Sequence, residues 1–181
     1  MFIRNDLLQM NTLKYACLNR PMLVAAGLAL ALVACSSSVP DEFSTSVDSI
    51  LEGRTATVKG VCSLDSVAKK EAVEGRYRAK AGGEAIFSGW AWDKVRNAPS
   101  NYVAVRLTNA LTGLPTYSYT STRAARADVA AVIQAPPDSK VAFELGAKKL
   151  PAQAGLYRVE LLQVWANEIA ICNVPAMLVL E

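Results

Sequence analysis

From residue 55 to residue 180 the chain reads as short strand-like runs, several of them alternating apolar and polar side chains, broken by turn-forming stretches. Residues 85–92, 102–107 and 141–145 alternate, 116–120, 156–165, 168–172 and 176–180 read as further strands, and 55–61 is short and β-branched. Successive side chains of an extended strand point to opposite faces. Val103, Val105 and Leu107 therefore share one face, and Ile86 and Ser88 lie opposite Phe87 and Gly89. Thr112, Gly113 and Pro115 mark a turn within residues 109–115. Only residues 124–133 suit a helix, with Val129, Val132 and Ile133 on one side; residues 66–74 suit either a helix or a loop. Strands at regular spacing with short turns predict an all-β domain, an antiparallel immunoglobulin-like β-sandwich with one short helix. A small barrel is the rival architecture.

A different kind of segment precedes this pattern. Lys14 and Arg20 are followed by an apolar run over residues 22–34. A membrane-spanning helix needs about 20 such residues. The shorter run behind positive charge has the form of a secretory signal. It ends in Leu32, Val33, Ala34 and Cys35, which resembles the lipobox of bacterial lipoproteins. That resemblance implies cleavage before Cys35 and diacylglycerol on its thiol. One acyl chain holds a protein to a membrane only marginally, whereas two or three hold it firmly. The same resemblance makes residues 1–34 a signal peptide and places the product in the cell envelope, lipid-anchored. Ser36, where an aspartate would favour retention in the inner membrane of a Gram-negative cell, points to the outer membrane facing the periplasm. Met10 is an alternative start. Residues 35–50, rich in Ser, Thr and Asp, read as a flexible tether, and residues 51–181 as the single folded domain.

Cysteine usage follows from that address. Cys17 lies in the leader and Cys35 is the expected lipid site, which leaves Cys62 and Cys172 in the domain. In an oxidising compartment these two can form one disulfide. The alternative is a pair of buried free thiols. Two soft ligands make no zinc site.

Composition excludes several chemistries. The chain has no histidine, so a Ser-His-Asp triad, a Cys-His dyad and a histidine-ligated metal are ruled out within it. No metal and no cofactor are expected. Of the 19 Lys and Arg and the 16 Asp and Glu, Arg4, Lys14, Arg20 and Asp6 precede Cys35. The remainder is close to neutral, and no basic stripe exists to engage phosphates, so nucleic-acid binding is not expected.

The candidate binding residues are aromatic. Trp90 and Trp92 share a strand face, as do Tyr117 and Tyr119. Exposed indoles would make a platform for sugar rings, with Asp93, Arg96 or Asn97 bonding hydroxyls. Alternatively the indoles fill the core, because they have large apolar area to bury. Arg123 and Arg126 before the helix could hold an anion. The plainer reading is a structural corner in which Asp128 stabilises the first helical turn and Arg126 pairs with it. Asp65, Asp93 and Asp128 are the carboxylates weighed for acid/base work, which needs a specific separation. The pairs Lys69–Lys70 and Lys148–Lys149 read as solvated turns.

Several segments together carry a second resemblance: Val61 to Ser66, Phe87 to Asp93 with its Ser-Gly-Trp-Ala core, Arg126 to Ala130, Gly155 to Val159, and the late Cys172. They are similar to an accessory β-sandwich domain of bacterial envelope proteins, including tails of membrane enzymes that handle surface polysaccharides. The resemblance covers most of residues 56–180 and implies structural motifs without an assigned activity. The expectation is a non-enzymatic envelope lipoprotein. The membrane would be engaged through the lipid on Cys35, and the sandwich would bind a protein or a glycan. A carboxylate-dependent enzyme acting on cell-wall or surface polysaccharide is the first alternative, and a purely structural outer-membrane component the second.

Overall fold

A computed structural model describes residues 42–45, 51–58 and 60–181. The leader and Cys35 lie outside the described residues, as does most of the expected tether. Ten strands and one helix follow in order: β1 (Thr55–Val58), β2 (Val61–Val67), β3 (Arg76–Ala79), β4 (Ala85–Trp92), β5 (Tyr102–Asn109), β6 (Pro115–Thr120), β7 (Arg123–Ala124), α1 (Ala127–Ile133), β8 (Ala142–Ala147), β9 (Gly155–Val164) and β10 (Glu168–Leu180). One sheet runs β1-β10-β9-β5-β6, with β3 also on β10; the other runs β2-β4-β8-β7. They form the expected all-β sandwich. Its ladders are antiparallel except at one margin, where β1 pairs with the first half of β10 and β3 with the second half, both in parallel. A register shift between Asn173 and Met177 separates those halves, and Pro175 falls inside it, where a ladder donor is dispensable.

The inward rows build the main core. Val103, Val105 and Leu107 of β5 are fully buried, beside Val159 and Leu161 of β9 and facing Phe87, Ala91, Phe143 and Leu145 of the other sheet. Gln163 also points inward. Its Nε2 donates to the backbone oxygens of Val61 and Trp92, both at 3.4 Å, a polar link from β9 to the opposite sheet. Cys62 of β2 and Cys172 of β10 are paired as a disulfide between the sheets, with Cα atoms 6.2 Å apart.

Several expected boundaries shift for identifiable reasons. The run 55–61 is split, because β1 ends at Val58 in one sheet and β2 begins at Val61 in the other. Gly60 lies at this crossing, where a Cβ would come within 2.8 Å of both Cys172 Cβ and Gln163 Nε2. Residues 66–67 extend β2, and the chain then turns through Ala68 and Lys69, both at positive φ. The helix starts at Ala127 rather than near residue 124, because Arg123 and Ala124 pair with β8 as β7. Strand β3, too short to stand out by alternation, was not anticipated. Part of the expected tether is also held by the domain. Ser44 exchanges backbone hydrogen bonds with Tyr117, Phe43 N donates to Lys149 O, and the Phe43 ring lies 5.6 Å from that of Phe87.

Two substitutions probe this frame. The bridge closes a loop with a sequence separation of 110, so replacing both cysteines by alanine should cost about 4–5 kcal/mol on the loop-entropy argument, read from urea unfolding midpoints. At Gly89 a Cβ would approach Ser63 O to 2.2 Å and Phe143 Cε1 to 3.1 Å. Gly89→Ala should therefore destabilise by about 1–3 kcal/mol or more, with the loss appearing in the same unfolding curves.

Candidate functional site

The outward rows decide what is available to a partner. On β4 they are Ile86, Ser88, Trp90 and Trp92, alternating with the inward Phe87, Gly89 and Ala91. The expected shared face of the two indoles is therefore found, but it is neither the core between the sheets nor an open platform. Helix α1 covers it. Trp92 is only 2% exposed and packs with Val129, Ile133 and Val141, while Trp90 is half-buried at the margin of that cluster. An indole sealed under a helix cannot stack on a sugar ring, so Trp92 is removed from the candidate binding residues.

Tyr117 and Tyr119 lie on the outward face of the larger sheet. Tyr119 is buried against Ala104, Leu162 and Val164, edge-on to Tyr102, and Tyr117 is half-buried beside it. Leu51, from the chain leading into β1, packs in the same cluster. Arg106 and Glu160 form a partly buried ion pair at 2.7 Å on this face. That contact raises the Arg106 pKa against the lowering effect of burial. The tyrosine pair is thus largely committed to packing.

The segment Phe87 to Asp93 is occupied by structural tasks. Gly89 admits the close approach of β2, Ala91 fits the core, and Trp92 holds α1. Asp93 accepts from the backbone N–H groups of Val95 at 2.8 Å and Arg96 at 3.0 Å, and pairs with the Arg96 guanidinium. Burial pushes its pKa up, but these hydrogen bonds outweigh that and the net shift is downward. Arg96 also pairs with Glu168 and lies 4.5 Å over the Trp165 ring. Asp93 and Arg96, two of the three residues considered for bonding sugar hydroxyls, instead fasten the β4–β5 turn to the β9–β10 hairpin; Asn97 lies exposed in that turn at positive φ.

The two arginines before α1 separate. The Arg123 guanidinium reaches Ser100 Oγ at 3.1 Å and the backbone oxygens of Ala91 and Val141 at 3.4 and 3.5 Å; burial pulls its pKa down to about 10. Arg126 makes the corner. Its Nε and Nη2 donate to Asp128 at 2.9 and 2.6 Å, and its Nη1 to Asp65 at 3.1 Å. Asp128 sits in the first turn of α1, and Arg126 holds its pKa down at about 2. The structure thus joins Asp65, Arg126 and Asp128 and leaves Asp93 elsewhere. No three Cys, His, Asp or Glu gather as a metal set among the described residues.

One strip of the smaller sheet stays open. Ser88 pairs in register with Glu144, and Ile86 with Gly146, so these four make adjoining outward steps on β4 and β8. Around the first step lies a cleft of about 390 Å³, with Asp65, Arg126, Thr122 and Glu144 at its margin. Around the second lies one of about 470 Å³, edged by Lys69, Glu84 and Lys148. The two lysine pairs thus each send one member to the same depression, which separate turns do not reveal in sequence. Ser88, Glu144 and Gly146 carried no sequence signal beyond alternation. This strip is a shallow groove with hydroxyl, carboxylate, guanidinium and ammonium groups over a small-residue floor. It can hydrogen-bond an elongated ligand, and its first cleft contains two carboxylates, Asp65 and Glu144.

The carboxylate contacts make stability pH-dependent. An Asp whose folded pKa lies below its unfolded value of about 3.9 adds stability that is complete above that pH and is lost as pH falls toward the folded value. Asp93 and Asp128 both qualify. Urea midpoints should hold steady from pH 7 to pH 5 and drop between pH 4 and pH 2. Asp93→Ala should cost about 1–3 kcal/mol at neutral pH, because the N–H groups of Val95 and Arg96 and the Arg96 guanidinium lose a charged acceptor, and should flatten the acid drop.

Comparison with protein-family models, with curated proteins and with solved structures gives no match.

Proposed function

We propose that this chain is an envelope lipoprotein, anchored through Cys35, whose β-sandwich is a non-catalytic binding module that receives a protein partner along the β4–β8 strip. The observation that carries the reading is the contrast between the two halves of one sheet face. Trp92 is sealed under α1 with Trp90 half-buried at its margin, while Ser88, Glu144 and Gly146 lie in an open groove with charged side chains along its rim. The leader and the lipobox-like residues 32–35 supply the address. A glycan remains the less favoured ligand, because the groove lacks an open aromatic plane and sugar binding leans on stacking. A protein segment needs only hydrogen-bonding groups and mixed charge, which the strip offers from Asp65, Arg126, Lys69 and Lys148.

One observation favours a second reading, a carboxylate-dependent glycosidase: Asp65 and Glu144 line one cleft. Such chemistry needs carboxyl groups roughly 5–10 Å apart, one of them free to carry a proton. Asp65 is already engaged by Arg126, so it belongs to the corner that holds the start of α1.

Tritiated palmitate should enter the wild-type chain in cells and be missing from Cys35→Ala; an unlabelled wild type ends the anchor reading. A photo-crosslinking residue at Ser88 should give a discrete protein adduct that the same residue at Val73, exposed on another loop, does not. Equal patterns from both positions would remove the groove as the docking surface. Release of reducing ends from purified cell-wall polysaccharide, lost in Glu144→Gln, would replace the binding module with the enzyme.

A further inference from the structure

The end of the sandwich formed by the β5–β6 loop and the chain leading into β9 has a composition unlike the rest of the surface. Residues 108–122 and 150–157 contain no charged side chain. Leu111 is 89% exposed and Leu114 64%, and Leu156 is also open to solvent. Leu111, Ala110, Ala154 and Leu156 line a shallow depression of about 300 Å³ that joins the two loops. Large exposed apolar side chains gathered on a monomer mark a contact surface.

The backbone of this tip is as distinctive as its side chains. Every N–H from Asn109 to Leu114 has an acceptor inside the protein. Asn109 N donates to Leu114 O, Ala110 N to Leu156 O and Gly113 N to Asn109 O. Leu111 N and Thr112 N both donate to Asn109 Oδ1, at 2.9 and 3.0 Å, and Leu114 N to Thr112 Oγ1 at 3.3 Å. Gly113, at φ +71°, allows the tight reversal. A loop meeting water needs no such internal satisfaction. A loop entering an apolar medium does, because each unpaired N–H there costs several kcal/mol.

The position of the chain's entry into the domain adds a third argument. Ser44 pairs with Tyr117, three strand residues from Leu114, or about 10 Å. Cys35 precedes Glu42 by only seven residues, which reach at most about 25 Å when extended. A lipid on Cys35 would keep this end of the sandwich within reach of the bilayer.

We propose that the Leu111–Leu114 tip, together with Leu156, is a membrane-contacting surface that inserts its leucines into the lipid interface and fixes the orientation of the anchored domain. The proposal rests on the lipid-anchor reading for its geometry. A charge-free β5–β6 loop, outward leucines and an internally bonded backbone suit insertion without a spanning segment.

The test uses the full, lipidated protein in vesicles of phosphatidylethanolamine and phosphatidylglycerol containing a phospholipid with a diazirine on its acyl chain. After illumination, peptide mass spectrometry should find lipid adducts on the peptide containing Leu111 and Leu114. The double substitution Leu111→Asp and Leu114→Asp should lower them at least about tenfold without changing adducts near Cys35. Thr112→Trp, which adds apolar area without removing a leucine, should raise them. Adducts confined to the N-terminal peptide, or a tip yield indifferent to these substitutions, would overturn the proposal. The intact mass of the same sample reports acylation of Cys35 separately. A missing acyl group defeats the anchor reading, while the adduct map still scores the tip.

Discussion

Both sheets carry apolar side chains on two faces, and a two-layer sandwich can bury only one of them. The inward rows of Val103, Val105, Leu107, Phe87 and Leu145 meet each other and close the main core. The outward rows must find other cover. Trp90 and Trp92 obtain it from Val129 and Ile133 of α1. Ala104, Tyr119, Leu162 and Val164 obtain it in part from Leu51. Helix α1 is therefore a consequence of the tryptophans: at seven residues it is too short to stand alone in water, and its packing on the indoles supplies the missing stability.

The same constraint sorts the polar residues. Arg126 and Asp128 hold the start of α1 against β2 through Asp65, so the corner maintains the cover over Trp92. Asp93 and Arg96 brace the opposite side of that strand end and tie it to Glu168 at the start of β10. These charges are exposed or half-exposed at one partner at least, where an isolated pair adds little. Their shared partners and the buried Asp93 carboxylate give them more weight than their surface position suggests. Gln163 and the Cys62–Cys172 bridge link the two layers from within.

Alternation made the strands legible because period-two burial acts on every residue of a long strand. The rows of β4, β5 and β8 are readable from sequence, and so is the helix; β9 is legible as a strand but not by its rows, since its last six residues are all buried. What alternation cannot report is which of two apolar faces meets the other sheet and which meets a helix. Hence the sequence puts the indoles on one common face but does not reveal that α1 lies over it. Short or parallel pairings were also hidden: β3 has four residues, and its partner in β10 lies 101 positions away at Met177 for Arg76. The groove was the least visible feature. It is made of Ser88, Glu144 and Gly146, residues with no motif, and of lysines from distant turns. Its existence depends on α1 stopping short of these positions.

A surface left open in such a frame falls into two kinds. Along β4 and β8, beyond the helix, the outward side chains turn from indole to Ser88, Glu144, Gly146 and a half-buried Ile86, so water is an acceptable neighbour until a partner replaces it. At the β5–β6 tip the outward side chains are leucines and the backbone donors are already satisfied, so water is a poor neighbour from the start. Nothing in the core requires Leu111 or Leu114 to be apolar, since both project away from it. Their hydrophobicity contributes only when another apolar phase is in contact. That separates these two surfaces by the medium each suits, and under the proposed lipid-anchored reading a module held close to a bilayer has use for both.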